Sequence, residues 1–191
     1  LLKTSLILFL AACSSHQTTS FYQLKAIETE TTEHNAPPPN PITILVNPIR
    51  FPEYLDRPQI VTRNNKYKLQ LSDNHHWAEP LKNEFHRVFL KNLNHRIHPS
   101  HAVIYSDLNK VQPNIHLSIE VLQFDTNSQD LAILSVKWAY WLNDKVKHIK
   151  RQAKEYRLPI KNKHYESRIE AQSQAIVLFT DDLIASIWKN E

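Results

Sequence analysis

The middle of the chain alternates apolar and polar residues with the two-residue period of β-strands. Residues 114–124 follow this pattern most regularly. Residues 131–142 would be their hairpin partner, with a bulge near residues 134–135, and residues 147–158 would add a third, more polar strand. The apolar face of the first two strands consists of Ile115, Leu117, Ile119, Val121, Leu131, Ile133, Val136, Trp138 and Tyr140. Consecutive strands with short turns predict an antiparallel meander.

Shorter strands are predicted on the N-terminal side of this region. Two of them, residues 59–63 and 67–71, would pair as a hairpin because turn-forming asparagines separate them. The remaining strand candidates are residues 21–27, 42–46 and 102–105.

Two segments change to the period of an amphipathic helix, residues 78–97 and residues 165–188. Pro80 fits only in the first turn of a helix, so the first helix is expected to begin near Ala78. The apolar stripes consist of Trp77, Leu81, Phe85, Val88, Phe89 and Leu93 in the first segment, and of Ile169, Ile176, Phe179, Leu183, Ile184 and Ile187 in the second. Two helices packed on one face of an antiparallel, mostly meandering sheet predict an α+β fold.

The N-terminus has the order of a bacterial lipoprotein signal. Lys3 is followed by a short apolar run, two alanines and Cys13, which is the only cysteine of the chain. Residues 1–12 would be removed as a signal peptide, and Cys13 would become the acylated first residue. The alternative is a buried thiol at Cys13 behind an ordinary N-terminal strand.

The residue after the cysteine is Ser14. This segment resembles Gram-negative lipoproteins, in which an aspartate at that place favours retention in the inner membrane. Ser14 therefore indicates an outer-membrane lipoprotein that faces the periplasm. Residues 13–20 would then be the lipidated tether and residues 21–191 a single domain.

Composition excludes several kinds of chemistry. The chain has no glycine, so a glycine-rich phosphate loop, a dinucleotide fingerprint and a G-x-S-x-G nucleophile elbow are absent. The net charge of +4 comes from 23 basic and 19 acidic residues, and the basic residues cluster only between residues 145 and 154. That cluster is typical of a solvated strand face or of weak contact with anionic head groups, and no nucleic-acid partner is predicted.

The titratable residues do not form a recognisable reactive site. His95, His98 and His101 have a helical spacing, but a proline follows His98 and would end the helix before the imidazoles meet. Asp181 and Asp182 are adjacent in a predicted helix and would point apart. We therefore predict no metal site, no cofactor and no catalytic residue, and we do not expect an enzyme.

Three segments resemble those of a known family. They are Pro-Glu-Tyr-Leu-Asp-Arg-Pro-Gln-Ile-Val at residues 52–61, His-Trp-Ala-Glu-Pro-Leu at residues 76–81 and, more loosely, Val-Leu-Gln-Phe-Asp at residues 121–125. With the lipoprotein signal and the terminal helix, the chain resembles the ABC-transporter auxiliary lipoproteins, the family of PqiC. The resemblance covers nearly the whole mature chain, although family members usually carry glycines in their turns.

The resemblance implies a docking component without catalytic activity. Such a protein is held at the outer membrane by its lipid and works with an MCE-domain protein of the inner membrane. Together they belong to a system that moves lipids or other hydrophobic molecules across the periplasm. The resemblance is also compatible with a ring-like homo-oligomer, to which no surface is assigned from the sequence.

The first motif is a candidate for partner binding. Pro52 and Pro58 would hold the residues between them rigid, so little entropy would be lost on binding, and tyrosine and arginine are enriched in binding hot spots. The candidate residues are Tyr54, Leu55, Asp56, Arg57 and Gln59. The alternative is internal, with Tyr54 and Leu55 packed under the sheet and Asp56 paired with Arg57 or capping a turn.

The second motif predicts packing at the start of the first helix. Its residues are Trp77, Glu79 and Pro80, and Glu79 would be favoured by the helix dipole whatever its other role.

Two rival functions come from other classes. A lipid carrier with its own hydrophobic cavity would use the aromatic strand of Trp138, Tyr140 and Trp141, of which the first two share a face and the third points away. Core packing explains the same pattern. A periplasmic enzyme would require convergent titratable groups in a pocket.

Overall fold

The computed structural model of the protein describes residues 18–27, 42–97, 102–105, 112–142 and 149–188. The predicted signal peptide, Cys13 and most of the predicted tether lie outside these residues.

Within the described residues, two helices pack on one sheet of eight strands. The helices are α1 (Leu81–Arg96) and α2 (Tyr165–Trp188), and neither of them is long and apolar enough to cross a membrane. The strands are β1 (Ser20–Tyr22), β2 (Ile42–Val46), β3 (Gln59–Arg63), β4 (Leu69–Trp77), β5 (Ala102–Tyr105), β6 (Ile115–Asn127), β7 (Leu131–Leu142) and β8 (Lys150–Pro159).

The sheet is mixed, so the predicted antiparallel, mostly meandering sheet is wrong in part. β6, β7 and β8 form the predicted antiparallel meander, and β3 and β4 form the predicted antiparallel pair. Four other pairs are parallel: β1 with β4, β2 with β5, β2 with β6, and β3 with β6. Parallel neighbours are joined by long connections. The local alternation that identifies a strand therefore does not show which distant strand lies beside it.

The long strand β6 organises the sheet. β7 pairs along one of its edges, and the opposite edge pairs first with β2 and then, near its C-terminal end, with β3. Between these two partners, Arg50 forms a parallel bridge with Glu120. The chain then leaves this edge and returns as β3, which places residues 52–58 beside the centre of the sheet.

The core lies between one face of the sheet and both helices. The predicted apolar face of β6 is buried, and Trp138 and Tyr140 of β7 lie on the same side. Phe179 of α2 contacts Trp138, with 5.5 Å between ring centroids, and Phe89 of α1 at 5.4 Å. The α+β class is therefore confirmed, with both helices on one face.

Three features of the structure lie a few residues away from where the sequence predicted them. The bulge lies on β6, between Val121 and Gln123, and not on β7 as predicted, although it faces the predicted part of β7. Helix α1 begins at Leu81, so Pro80 precedes it as the N-cap instead of lying in its first turn. β4 extends as far as Trp77 because its second half pairs with β1.

Strand β1 is shorter than predicted because the next residues bond to helix side chains. We call residues 24–27 the strap. Three of its backbone N–H groups donate to the helices: Leu24 to Glu84 Oε2 (2.9 Å), Lys25 to Ser173 Oγ (3.1 Å) and Ile27 to Asn92 Oδ1 (2.9 Å). The strap thus joins α1 to α2 without belonging to the sheet.

Candidate functional site

The first motif forms a tight, locally bonded turn. Residues 53–55 are a single 3-10 turn, in which Leu55 N–H donates to Pro52 O (3.1 Å) and Asp56 N–H donates to Glu53 O (3.0 Å). Pro52 supplies the extended backbone that starts the turn. Leu55 points into the core and is 3% exposed. The predicted rigidity of this segment therefore has a backbone basis.

The second motif lies directly beside the first. Trp77 N–H donates to Pro58 O (2.7 Å), and Gln59 is paired in register with His76. Trp77 is buried in the core at 4% exposure, as the packing interpretation predicted. The nearest ends of the two motifs, residues 61 and 76, are 15 positions apart in sequence, and the motifs become neighbours because β3 and β4 pair.

The end of the second motif starts helix α1. Pro80 O accepts the N–H groups of Asn83 (2.8 Å) and Glu84 (3.2 Å), so the proline carbonyl opens the hydrogen-bond ladder of the helix. Glu79 forms a surface ion pair with Arg87 (3.0 Å). These contacts are internal to the helix start.

The third motif supplies the acceptor at the centre of this region. Asp125 is fully buried, and its Oδ2 accepts hydrogen bonds from Tyr54 Oη (2.9 Å) and Arg63 Nη2 (3.0 Å). Gln123 Nε2 donates to the other carboxylate oxygen (2.7 Å). The Arg63 guanidinium also lies over the Tyr54 ring, 5.7 Å from its centroid. We call residues 52–59, 77–80 and 123–125, together with Arg63, the motif junction.

Burial and the contacts with Asp125 together set the pKa values of Tyr54 and Arg63. Burial raises the pKa of the Tyr54 hydroxyl, and the negative charge of Asp125 raises it further. Burial disfavours the charged form of Arg63, but the hydrogen bond and negative charge of Asp125, together with Tyr54, outweigh burial, so the pKa of Arg63 is raised. Tyr54 thus stays a neutral donor and Arg63 a cation, which together compensate the buried carboxylate.

Aromatic contacts connect the junction to α1. Phe51 and Phe124 both contact Phe85 edge-on, with ring centroids 5.1 and 5.3 Å away. Phe85 lies one turn into α1 and is completely buried. The three motifs therefore meet around one helix start.

The structure brings the predicted site residues together but divides them between core and surface. Leu55 and Trp77 are in the core, and the Tyr54 hydroxyl is engaged by Asp125. Asp56 is exposed, whereas Arg57, Gln59 and Glu79 are partly exposed. The internal interpretation thus describes the geometry of Tyr54 and Leu55. The surface that a partner could contact consists of Asp56, Arg57, Gln59 and Glu79.

Several buried polar residues were not singled out from the sequence. Glu84 and Asn92 are fully buried, although they lie on the apolar stripe of α1 at helical spacing from Leu81 and Val88. Asp125 lies with Gln123 on the face of β6 opposite to Phe124. A polar residue at a core position is a signal for a buried hydrogen-bond network, and the sequence offered it for Glu84 and Asn92 but not for Asp125.

Metal ligands do not cluster in the described part of the chain, where no group of three histidine, cysteine or acidic side chains could hold an ion. His75 instead stacks on Tyr165, with 3.7 Å between ring centroids, and shares a 2.8 Å hydrogen bond with the Tyr22 hydroxyl. His98 and His101 lie outside the described residues.

Comparisons with known proteins agree on a family and a fold. Residues 22–184 match the family model of the ABC-type transport auxiliary lipoprotein component. An uncharacterized protein of known structure superposes with a TM-score of 0.74 at 17% identity, over 89% of this chain and 99% of its own. Protein XCC0632 from Xanthomonas campestris superposes with a TM-score of 0.69 at 16% identity, over 87% of this chain and 93% of its own.

No curated protein matches the sequence. The two solved structures share the fold, and the family model matches most of the chain, including all three motifs. Because the matching family is one of lipoproteins, the protein is lipid-anchored and associated with a membrane. The resemblance on which the sequence interpretation rested is confirmed: this chain belongs to the ABC-type transport auxiliary lipoprotein family.

Proposed function

We propose that this protein is a non-catalytic docking component of an MCE-type intermembrane transport system for lipids or other hydrophobic molecules. Cys13 anchors it in the outer membrane, and its domain faces the periplasm, where it meets an MCE-domain protein of the inner membrane. The observation that carries the proposal is the family match over residues 22–184, which follows a lipoprotein signal ending at Cys13.

The geometry of the motif junction supports a docking role. Asp125 at its centre accepts three internal hydrogen bonds, and Asp56 is exposed on the surface. An enzyme would need a nucleophile or base beside a space for substrate. A rigid, internally bonded frame that presents a few surface residues is instead suited to holding a partner.

Of the three aromatic residues that motivated the carrier alternative, two are in the core, and the third, Trp141, is partly exposed and stacks on His116. Trp138 is 3% exposed and Tyr140 is 7% exposed, and both side chains donate to Ser186 of α2. Both side chains pack in the core, and Trp138 also borders a shallow depression on the other face of the sheet.

Affinity purification of the lipidated protein from its own bacterial membranes tests the docking function. Recovery of an MCE-domain protein with the native chain is expected, together with its loss for Cys13→Ala, which removes the anchor. In cell fractionation, the Cys13→Ala protein should no longer be recovered with the outer membrane. Failure to recover an MCE-domain protein with the native, outer-membrane-bound chain would contradict the proposal.

A further inference from the structure

The face of the β6–β7–β8 meander that points away from the helices has an exposed centre. On β7, Trp138 and Tyr140 point to the core, so Lys137, Ala139 and Trp141 lie on the opposite face. Lys137 is exposed and Ala139 and Trp141 are partly exposed. We call this side of the three strands the open face.

A shallow depression of about 420 Å³ lies in the open face. Its floor is made of short side chains, because Ser118 of β6 is paired with Ala139 of β7, and Ala153 of β8 is paired with Lys137. Three small residues on three adjacent strands leave a space that longer surface side chains would fill. The depression is therefore built into the sheet and does not depend on a loop.

Cations surround this floor. Arg50, Lys137 and Arg151 line the depression, and Glu120 is the one acidic residue among its lining. Lys137 and Arg151 are diagonal neighbours across β7 and β8, so their backbones are about 7–8 Å apart. Glu120, the cross-strand partner of Lys137, accepts a long contact of 3.5 Å from Arg50. The basic residues exceed the acidic ones by two.

An aromatic pair stands one row further along the same face. His116 and Trp141 are cross-strand partners whose rings stack in parallel, with centroids 5.1 Å apart. Tryptophan and arginine are enriched in the hot spots of protein interfaces. An aromatic plate beside a cationic depression is thus a suitable anchor arrangement for a protein segment.

We propose that the open face binds an acidic segment of a protein partner, whose carboxylates pair with Lys137 and Arg151. This inference rests on the docking function proposed above and assigns it a surface apart from the exposed residues of the motif junction. The charge of the depression favours a protein over a membrane, because recognition of anionic lipid surfaces uses clusters of about four to eight basic residues, and the lining of the depression has a net excess of two. Opposite charges also fix the register of a partner and reject other surfaces.

Site-specific photo-crosslinking in the full, lipidated chain tests this surface. A benzophenone amino acid replaces Ala153 in one strain and Leu178, an exposed residue of α2, in a second strain. The expected result is an adduct at position 153 with the MCE-domain partner, in a peptide rich in aspartate and glutamate, and little adduct at position 178.

Charge reversal provides the second arm. Lys137→Glu with Arg151→Glu should reduce the adduct at position 153 at least tenfold, whereas Lys82→Glu with Lys91→Glu, the same charge change on exposed positions of α1, should change it less than twofold. Unchanged circular dichroism of both variants shows that each is folded.

The outcomes separate the surface from the function. If the partner copurifies but its adducts form only at position 178, or if both double variants behave alike, the open face is not the docking surface and the docking function stands. Adducts at position 153 with a second copy of this chain or with lipid would also overturn the inference. Absence of an MCE-domain partner from the purified complex would remove the docking function itself.

Discussion

At the scale of single residues, Asp125 determines how the motif junction is built. A fully buried carboxylate carries a desolvation penalty of several kcal/mol, and this one is compensated by donors from Tyr54, Arg63 and Gln123. The sequence indicated that Tyr54 is important but left its role open. The convergence on Asp125 depends on the pairing of β3 with β6, which no local pattern reports.

Removing the cationic partner of Asp125 should be costly. Arg63→Met leaves the buried carboxylate without a compensating charge, so we expect the free energy of unfolding to fall by about 3 kcal/mol. Urea denaturation at neutral pH measures this loss of unfolding free energy. Arg87→Met is the matched control, because it breaks the exposed pair with Glu79 and should cost less than about 1 kcal/mol. Equal losses for the two variants would contradict the role of Asp125.

Glu84 should make stability depend on pH. Burial raises the pKa of its carboxyl above the usual 4.5, and the Leu24 N–H hydrogen bond only partly opposes this. The folded protein therefore holds the proton more tightly than the unfolded chain, and the stability contributed by protonated Glu84 is lost as pH rises from about 4.5 through the raised value.

Glu84→Gln, which keeps an acceptor for Leu24, should remove this loss. Unfolding free energies measured from pH 4 to pH 8 should fall less steeply with pH for Glu84→Gln than for the native chain. Glu79→Gln, at a partly exposed position, should retain the native slope. A native slope in Glu84→Gln would show that the buried carboxyl does not titrate in this range.

At the scale of elements, the strap is held by side chains and not by a strand ladder. Each of its hydrogen bonds is separate, so each can be removed singly. Ser173→Ala deletes the acceptor of the Lys25 N–H, and a hydrogen bond contributes about 0.5–1.5 kcal/mol. We therefore expect hydrogen exchange at the Lys25 amide to accelerate by up to about tenfold.

The Ile27 amide, which donates to Asn92, serves as the internal control and should keep its exchange rate. Faster exchange at both amides would mean that the strap opens as one unit, and unchanged exchange at Lys25 would mean that Ser173 does not hold it.

The elements themselves were predicted with different success for a physical reason. Helix α2 has the predicted bounds, and the β6–β7 hairpin was recognised, because periodicity and short turns are local properties. The bulge on β6 and the short β1 depend on what packs against them. A sequence pattern carries that information only weakly.

At the scale of the whole molecule, Phe179 joins the layers. Its ring, completely buried, contacts Phe89 of α1, Trp138 of β7 and Tyr156 of β8. Phe179 of α2 therefore contacts both the other helix and two strands of the meander.

Phe179→Ala should lower the free energy of unfolding by about 3–5 kcal/mol, because it leaves a cavity where the layers meet. Leu178→Ala changes the adjacent, 39% exposed residue and should cost no more than about 1 kcal/mol. Thermal or urea unfolding measures both variants, and similar effects would contradict a shared core at Phe179.

The sequence by itself determined the helices, the antiparallel meander and the family, because each of these depends on residues close together in the chain or on short motifs. Tertiary structure decided the parallel pairs of β2, the internal role of Tyr54 and the open face. The physical reason is that these features arise where distant segments meet. A residue becomes a core contact, a network donor or a surface only when its neighbours in space are known.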